Sequence, residues 1–465
     1  MTAEKKESYK LTPVNSQEGP VEGLQITHDA VFGEISEDGP NYRNVGWIGT
    51  VALMTKSMIG IGVLSIPISF DTLGIVPGVI ILITMATITT WSDYIVGVFK
   101  LRHPEVYSID DAGYLMFGRP GRIIFGGAFV LYWIFVAGSG MLGISISFNA
   151  MSSHGACTAV FVAVAAIIGF SLGSIQTLAK ISAIAWVGLI GMLTAIFMVT
   201  IAVAVQDRPS SAPQDAVWVP DYKIVGNPSF TKAITAVSTL VMAYAGTPGF
   251  FPIVSEMRDP TKYTRALLCC QTIVTVTYLI VGIVVYIYCG SYVASPALGS
   301  AGPLVKKVSY GFALPGLMVT TLLVIHISAK YVFVRILHGS RHLTTNTLIH
   351  WATWLGCTAA ITAIAYIIAS SIPVFNDLVS LVGALLGTLM SFQPMGCMWL
   401  YDNWAKGKTE KSIKWMLMVG FSCFVVLSGT FLMVAGTYGS AVSIKESYAA
   451  SGGSSAWSCA DNSNS

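Results

Sequence analysis

The sequence predicts an all-α membrane protein of about eleven spanning helices, built from two five-helix repeats of opposite orientation. Three observations predict this fold: the apolar composition, the length of the apolar runs, and the constant offset at which the runs recur. Of the 465 residues, 54% are hydrophobic and 11% are charged, and the mean hydropathy is +0.69. Soluble domains carry about 25% charged residues. A water-soluble globular protein is therefore excluded, and a net charge of +3 gives no indication of nucleic-acid binding.

Eleven hydrophobic runs, numbered here spans 1 to 11, have about the 20 residues that a helix needs to cross a bilayer. Their predicted boundaries are 45–71, 75–98, 122–150, 157–173, 178–205, 231–256, 264–292, 311–337, 347–370, 374–401 and 413–436. Strands of a membrane barrel would instead alternate with period two. Because a helix satisfies its own backbone groups in lipid, we expect a helical bundle.

The segments outside the spans predict the domain organisation and the orientation. With the N-terminus inside, the inner segments hold 18 Lys and Arg residues and the outer segments hold 6, as the positive-inside rule requires. Eleven is odd, so the C-terminus is expected outside. The predicted parts are a cytosolic acidic tail (1–43), a first repeat (44–206), an extracellular loop (207–230), a second repeat (231–402), an inner loop with helix 11 (403–437) and a flexible extracellular tail (438–465).

The starts of the spans reveal an internal repeat. Spans 6 to 10 begin 186 to 196 residues after spans 1 to 5, in the same order. Five is an odd number, so the second unit enters the membrane from the side opposite to the first. Inverted repeats of this kind are a common construction of secondary transporters. The alternative is an array of eleven unrelated helices.

Matching positions of the two repeats carry residues that interrupt helices. Span 1 contains Gly60 and Gly62, and span 6 contains the sequence Gly-Thr-Pro-Gly from Gly246 onward. Gly60 and Gly246 lie 186 residues apart, the offset of the span starts. Glycine costs a helix about 1 kcal/mol and proline about 3 kcal/mol. The pairing predicts unwound segments in both spans, although small residues can also serve the close packing of two helices.

These segments carry a resemblance to a known family. The matching stretches are 59–67 (IGIGVLSIP), 243–246 (AYAG), 251–252 (FP), 256–260 (EMRDP), 103–105 (HPE) and 107–113 (YSIDDAG). They resemble the signatures of the amino acid/auxin permease family, and most of all its fungal neutral amino-acid permeases, over about residues 41–436. The resemblance implies the leucine-transporter fold and proton-coupled uptake of amino acids.

An unwound turn frees backbone groups at the middle of the membrane, and the positive end of a half-helix attracts an anion. We expect the carboxylate of an amino acid to bind the N–H groups of Gly60, Ile61 and Gly62. The ammonium group is expected at freed carbonyls of the span 6 break, near Ala243, Tyr244 and Gly246.

Side chains near the breaks predict the kind of substrate. Tyr244 lies in the second break, Trp133 lies in span 3, and Ser57 precedes the first break. None of them is charged, which suits a neutral amino acid. The alternative is that the aromatic side chains serve packing only.

Four ionisable residues in or at the ends of spans are candidates for ion or proton coupling: Lys56, Lys330, His326 and Glu256. Charges within a membrane are costly and usually functional. The resemblance implies a sodium site between spans 1 and 8, and a lysine ammonium could replace that ion. The alternatives are that the lysines extend to the headgroups, that His326 is only hydrogen-bonded, and that Glu256 caps its helix or pairs with a gate residue.

The predicted function is secondary active import of neutral (aliphatic and/or aromatic) L-amino acids by proton symport at the plasma membrane. A vacuolar exporter and a non-transporting amino-acid receptor stay open. No GxxxxGK[ST], HExxH or GxSxG motif is present, so we expect neither an ATP-driven pump nor an enzyme, and no metal or cofactor. Cys157 and Cys289 both lie near outer helix ends, where a disulfide between them is one possibility. The oligomeric state stays open.

Overall fold

The computed structural model describes residues 27–29, 33–35, 44–176, 178–209, 212–213, 218–343, 345–372, 374–409, 411–450, 457 and 459–463. Most of the predicted acidic tail (1–43) therefore lies outside the described residues. Within that tail, β1 (Thr27–Asp29) and β2 (Gly33–Ile35) pair as antiparallel strands.

The remaining described residues form helices joined by short connections. In chain order they are α1 (Trp47–Met58), α2 (Ile66–Leu73), α3 (Ile75–Arg102), α4 (Ile109–Ser152), α5 (Thr158–Gly173), α6 (Leu178–Val205), α7 (Phe230–Ala243), α8 (Phe250–Ser255), α9 (Tyr263–Cys289), α10 (Pro303–Ile336), α11 (Leu348–Ser371), α12 (Phe375–Val382), α13 (Thr388–Ser391), α14 (Gln393–Thr409) and α15 (Ile413–Ala450).

The prediction of a helical membrane fold is confirmed. Within the described ranges, ten helical stretches are long and apolar enough to cross a membrane, and the 16-residue α5 is a shorter apolar helix at the position of span 4. These eleven elements match the eleven predicted spans. Span 1 consists of α1 and α2, span 6 of α7 and α8, and span 10 of α12 to α14.

Local sequence explains where several helices begin and bend. Ser108 and Asp111 form a capping box at the start of α4, which satisfies backbone N–H groups that the first turn leaves free. Ser229 and Thr347 cap α7 and α11 in the same way through their side chains. Gly118 bends α4 with a φ of 67°, a conformation that glycine adopts without strain. The bend separates the partly buried helical segment 109–117 from the part of α4 that corresponds to span 3.

Spans 1 and 6 lie at the centre of the bundle. Of their most apolar windows, 89% and 94% of the residues are buried, against 22% for α15 at the periphery. Around this centre, α10 packs against α4 and α6, and α15 packs against α7 and α14. Because α4 and α10 are spans 3 and 8, corresponding members of the two repeats contact each other directly.

The bundle has two chemically different ends. We call the end where α1 begins and α3 finishes the α1 end, and the end where α2 finishes and α15 finishes the α2 end. Arg102 pairs with Asp402 at the α1 end, and Arg335 pairs there with Asp110 and Asp111. The α2 end instead carries a disulfide.

The disulfide does not join the two cysteines considered from the sequence. Cys157, next to the start of α5, is bonded to Cys459, 302 residues later, and Cys289 is a free, buried thiol at the end of α9. The reason is that α15 runs on to Ala450, beyond the predicted end of helix 11 at residue 437. The longer helix brings the end of the chain over the α2 end, where Cys459 reaches Cys157.

The residues around Cys459, here called the C-terminal strap (457 and 459–463), are attached to several helices. Asn462 is buried, and Trp457 stacks edge-on against Tyr366 of α11 at 5.3 Å between ring centroids. Three further hydrogen bonds tie the strap to α4, α10 and α11: Asn149 Nδ2 to Asn462 Oδ1 (2.7 Å), Lys306 Nζ to the Ser463 carbonyl (2.5 Å) and Trp457 N–H to the Ser370 carbonyl (2.9 Å).

The strap predicts a measurable loss of stability when its cross-link is removed. Replacing Cys459→Ser should lower the midpoint of thermal unfolding by several degrees, because a disulfide typically contributes about 2–4 kcal/mol. Scanning fluorimetry of the purified protein measures the change, with Cys289→Ser as the matched control. Labelling of wild-type Cys157 by a maleimide without prior reduction would contradict the assignment.

Candidate functional site

The break in span 1 leaves backbone donors free. The helix α1 ends at Met58, residues 59–61 are non-helical, and a 3-10 turn (Gly62–Ser65) leads into α2. The N–H of Gly60 donates to the carbonyl of Met58 at 2.9 Å. The N–H groups of Ile61 and Gly62 have no hydrogen-bond acceptor in the part of the chain that the structure describes. They lie at the positive end of the turn that leads into α2, where an anion is stabilised.

The break in span 6 has the same construction. The helix α7 ends at Ala243, and a 3-10 turn (Thr247–Gly249) leads into α8. Between them, Gly246 N–H donates back to the Tyr244 carbonyl at 2.9 Å. Pro248 has no backbone N–H group, so one helical hydrogen bond cannot form at this position. Both predicted breaks are therefore present, at the positions that the paired glycines indicated.

The two breaks lie directly against each other. A Cβ atom on Gly62 would lie 2.5 Å from Ala243 Cα, and one on Gly246 would lie 2.9 Å from Met58 Cγ and 3.0 Å from Ser57 Oγ. Only glycine allows the two backbones to approach so closely. The glycines of the breaks thus have both of the roles considered from the sequence, because they end helices and also permit close packing.

Two tyrosines from other spans hold the carbonyls that the breaks release. The Tyr278 hydroxyl on α9 lies 2.7 Å from the Met58 carbonyl and 2.8 Å from the Ala243 carbonyl, so it joins the two breaks. The Tyr132 hydroxyl on α4 donates to the Ala245 carbonyl. A hydroxyl has a single proton to donate, so Tyr278 can satisfy only one of its two carbonyls at a time.

The predicted pocket residues have different neighbours. Trp133 lies against the turn after the second break, since a Cβ on Gly249 would lie 3.1 Å from its ring, and its buried indole N–H is unpartnered among the described residues. Tyr244 is directed toward α9, where its hydroxyl lies 3.3 Å from Thr275 Oγ1. Ser57 Oγ donates to the Met54 carbonyl of its own helix at 2.8 Å.

Lys56 is completely buried one turn before the first break. Its ammonium donates to the carbonyl of Ile59 at 2.9 Å, so it compensates one of the acceptors that the break frees. The structure therefore does not place this side chain at the headgroups. The Lys56 amino group is thus fixed beside the break, and its role in ion or proton coupling stays a prediction.

Lys330 and Glu256 form a buried ion pair. Glu256 directly follows α8, and Lys330 lies on α10, so the pair connects span 6 to span 8. Neither side chain reaches the surface, because their exposures are 3% and 1%. His326, one turn before Lys330, has its Nδ1 2.6 Å from the Ile175 carbonyl and its ring against Trp354.

The α1 end of the bundle is closed over the breaks. Val45, just before α1, forms a parallel bridge with Met257, just after α8. Ser255 Oγ donates to the Tyr107 carbonyl at 3.4 Å. The residues of both breaks are buried. Contacts on the α1 side must therefore open before a solute can pass from the breaks to that end.

Some parts of the site have no clear sequence signal. Tyr278 is one of 19 tyrosines, and nothing in its local sequence distinguishes it. Gly383–Gly387 forms a π-helical turn in span 10, where a Cβ on Gly387 would lie 3.3 Å from Ala245 Cβ in the second break. Such turns occur often at functional sites. The two small residues four positions apart were the available signal for this third interruption.

The glycine contact between the breaks predicts a pair of variants with opposite outcomes. Gly62→Ala should reduce the uptake of a labelled neutral amino acid about tenfold or more, because overpacking of this kind costs about 1–3 kcal/mol. Gly127→Ala is the matched control, since nothing lies within 4 Å of a Cβ at that position of α4. Uptake is normalised to the amount of folded transporter at the cell surface. Equal uptake by the two variants would refute the tight contact.

The ion pair predicts non-additive effects on stability. Lys330→Met alone should destabilise the protein strongly, by about 3–5 kcal/mol, because it leaves a buried charge without its partner. Adding Glu256→Gln should recover most of the lost stability. Thermal unfolding of both single variants and the double variant tests this coupling. A double variant no more stable than Lys330→Met would show that the two groups do not depend on each other.

Comparisons with known proteins agree with this geometry. A sequence model of the transmembrane amino acid transporter protein family matches residues 43–442. A transmembrane transporter of Fusarium pseudograminearum is 34% identical over 432 residues, which cover 92% of this chain and 89% of that protein. The N amino acid transport system protein of Neurospora crassa is 31% identical over 433 residues, which cover 92% and 91%.

A solved structure shows the same fold at low sequence identity. Mhp1, a nucleobase-cation-symport-1 family transporter in a closed conformation with bromovinylhydantoin bound, superposes with a TM-score of 0.53 at 11% identity, over 92% of this chain and 97% of Mhp1. Two opposed helix breaks at the centre of eleven apolar helices, together with the match over residues 43–442, lead to one conclusion: the chain belongs to the transmembrane amino acid transporter family.

Proposed function

We propose that the protein imports neutral L-amino acids by proton symport across the plasma membrane. The observation that carries the proposal is the pair of opposed breaks. One break presents the unpaired N–H groups of Ile61 and Gly62 to a carboxylate. Across the contact, the Tyr278 hydroxyl shares one proton between the carbonyls of Met58 and Ala243. A substrate ammonium can donate a hydrogen bond to the carbonyl that does not receive the hydroxyl proton of Tyr278.

The proposed carboxylate site has two N–H donors, one fewer than the three expected from the sequence. Gly60 already donates its N–H to Met58, so the carboxylate is assigned to Ile61 and Gly62. Gly60 instead provides space beside α10, where a Cβ would lie 3.0 Å from Thr320 Oγ1. The Lys56 amino group is held beside the same break by the Ile59 carbonyl, and in its protonated form it supports the binding of an anion there.

The preference for a neutral substrate follows from the side chains around the breaks. Trp133, Met58 and Thr320 are apolar or hydroxylic, and the Lys56 ammonium is engaged by the Ile59 carbonyl. A charged substrate side chain would lose water without gaining an opposite charge from these three residues, which is costly in a dry site. The Neurospora crassa relative, by its name an N amino acid transport system protein, supports an amino acid as the transported solute.

Transport requires that access alternate between the two ends. In the proposed cycle, spans 1, 2, 6 and 7 rock against spans 3, 4, 8 and 9 around the breaks. The ion pair of Glu256 and Lys330 crosses from the first group to the second. It must separate when the α1 end opens, so it acts as a gate, and Lys330 serves there as a structural cation.

The orientation is supported by the chemistry of the two ends. Disulfides persist in oxidising compartments, and the bond between Cys157 and Cys459 lies at the α2 end. The predicted inner segments, which carry most of the Lys and Arg residues, lie at the α1 end. We therefore propose that the α1 end faces the cytosol, which gives a cytosolic N-terminus and an extracellular C-terminus.

Flux measurements test the proposed function directly. Purified protein in proteoliposomes should accumulate labelled leucine or phenylalanine when the external medium is more acidic than the lumen, and the accumulation should persist without sodium. Unlabelled neutral amino acids should compete, whereas lysine and glutamate should not. Binding without flux would indicate a receptor, and accumulation that needs sodium and ignores pH would refute proton symport. Fluorescence microscopy of a tagged chain distinguishes the plasma membrane from the vacuole.

A further inference from the structure

Asp93 is a fully buried carboxyl on α3, outside the set of residues assigned to the substrate. Its Oδ2 accepts a hydrogen bond of 2.6 Å from Gln271 Nε2 on α9. The backbone carbonyl of Asp93 accepts another, of 2.8 Å, from the Tyr263 hydroxyl. The carboxyl is therefore held in place by α9, which is span 7.

The buried oxygen atoms around the Asp93 carboxyl outnumber the hydrogen atoms that neighbouring groups can donate to them. Asp93 Oδ1 and Gln271 Oε1 are both buried oxygens without a hydrogen-bond partner among the described residues. The Thr247 hydroxyl beside Asp93 has one hydrogen atom to donate, which can serve only one of these two oxygens. A proton on Oδ1 supplies a second donor, since a protonated carboxyl donates one hydrogen bond and an amide or hydroxyl oxygen accepts it.

Charge leads to the same conclusion. Among the described residues, no Lys, Arg or His forms an ion pair with Asp93. The titratable groups that act on it, Tyr263 and Cys270, both come from α9 and are neutral near pH 7 in their ordinary state. A lone buried carboxylate costs several kcal/mol, so this carboxyl is stable as the neutral acid.

The carboxyl also adjoins the second broken span and is linked to the first through Cys270. The Thr247 hydroxyl, in the turn directly after the second break, lies next to the Asp93 carboxyl and can donate a hydrogen bond to it. Cys270, beside Asp93, also neighbours Thr55 of α1, the residue before Lys56. Loss or gain of a proton at Asp93 therefore changes the charge beside the elements that frame the substrate site.

We propose that Asp93 is the proton-carrying group of the transport cycle. A proton from the extracellular side binds Asp93 Oδ1. While the substrate is bound, the resulting O–H group donates a hydrogen bond to the Gln271 or Thr247 side-chain oxygen. The proton is released to the cytosol when the α1 end opens. No bond other than O–H forms or breaks. This inference rests on the proposed proton symport. It separates the proton site from the Lys330–Glu256 gate and from His326, whose Nδ1 is held at the Ile175 carbonyl.

The test is Asp93→Asn, whose amide reproduces the hydrogen-bonding pattern of the protonated acid and cannot release the proton. In proteoliposomes, exchange of labelled for unlabelled leucine should stay within about threefold of wild type, because the loaded form is mimicked. Net accumulation driven by a pH gradient should fall to the equilibrium level. For wild type with one proton per substrate, one pH unit supports about tenfold accumulation.

Asp377→Asn is the matched control, because Asp377 is also buried but lies at the α2 end, bonded to Ser443 at 2.7 Å; it should keep proton-driven accumulation. If Asp93→Asn does not yield folded protein, Gln271→Leu replaces it. Without the amide donor at Oδ2 the Asp93 carboxylate is less stable relative to the neutral acid. The pH dependence of uptake should therefore shift to higher pH.

Each outcome separates this inference from the proposed function. A wild-type protein that accumulates substrate with a pH gradient, together with an Asp93→Asn variant that still does so, would overturn the role of Asp93 alone. A Gln271→Leu variant whose pH dependence of uptake equals that of the wild type would also overturn the role of Asp93 alone. A wild-type protein that responds only to sodium would overturn the proposed symport, and the assignment of a proton to Asp93 with it.

Discussion

The structure depends on the contact between two interrupted helices. Inside a bilayer, backbone groups that leave a helix must find partners within the protein. Here the break in span 1 and the break in span 6 meet through Gly62 and Ala243. Their released carbonyls accept hydrogen bonds from the Tyr278 and Tyr132 hydroxyls of neighbouring helices and from Lys56 of α1. The N–H groups of Ile61 and Gly62 are left without an acceptor among the described residues.

Ionisable groups in the interior are satisfied in two ways. Lys330 pairs with Glu256, and Arg335, at the α1 end, pairs with two aspartates. Lys56 and Asp93 are instead faced by neutral groups, a backbone carbonyl and a glutamine amide. Because burial without an opposite charge favours the neutral form, groups of the second kind are the ones suited to exchange a proton, and the proposal for Asp93 rests on this difference.

Composition and hydropathy were sufficient to predict the helical fold, the eleven spans and the positions of both breaks, because these depend on local residue types and on a regular offset. The contacts of the site were harder to predict. Tyr278 lies 220 residues from Met58, and Lys330 lies 74 residues from Glu256; neither distance carries a sequence signal. The sequence left the partner of Cys157 open, and Cys459 could not be recognised as that partner because α15 continues to Ala450, beyond the predicted end of the last helix. The assignments of substrate and proton residues stay predictions.

The C-terminal strap has a consequence for the mechanics of the molecule. Its disulfide lies next to α5, and its described hydrogen bonds reach α4, α10 and α11. These four helices are spans 3, 4, 8 and 9, the half that stays still in the proposed cycle. The strap therefore connects these four helices to one another at the α2 end through one covalent bond and several hydrogen bonds. Shortening the chain before residue 457 would then loosen this half while the central breaks stayed intact.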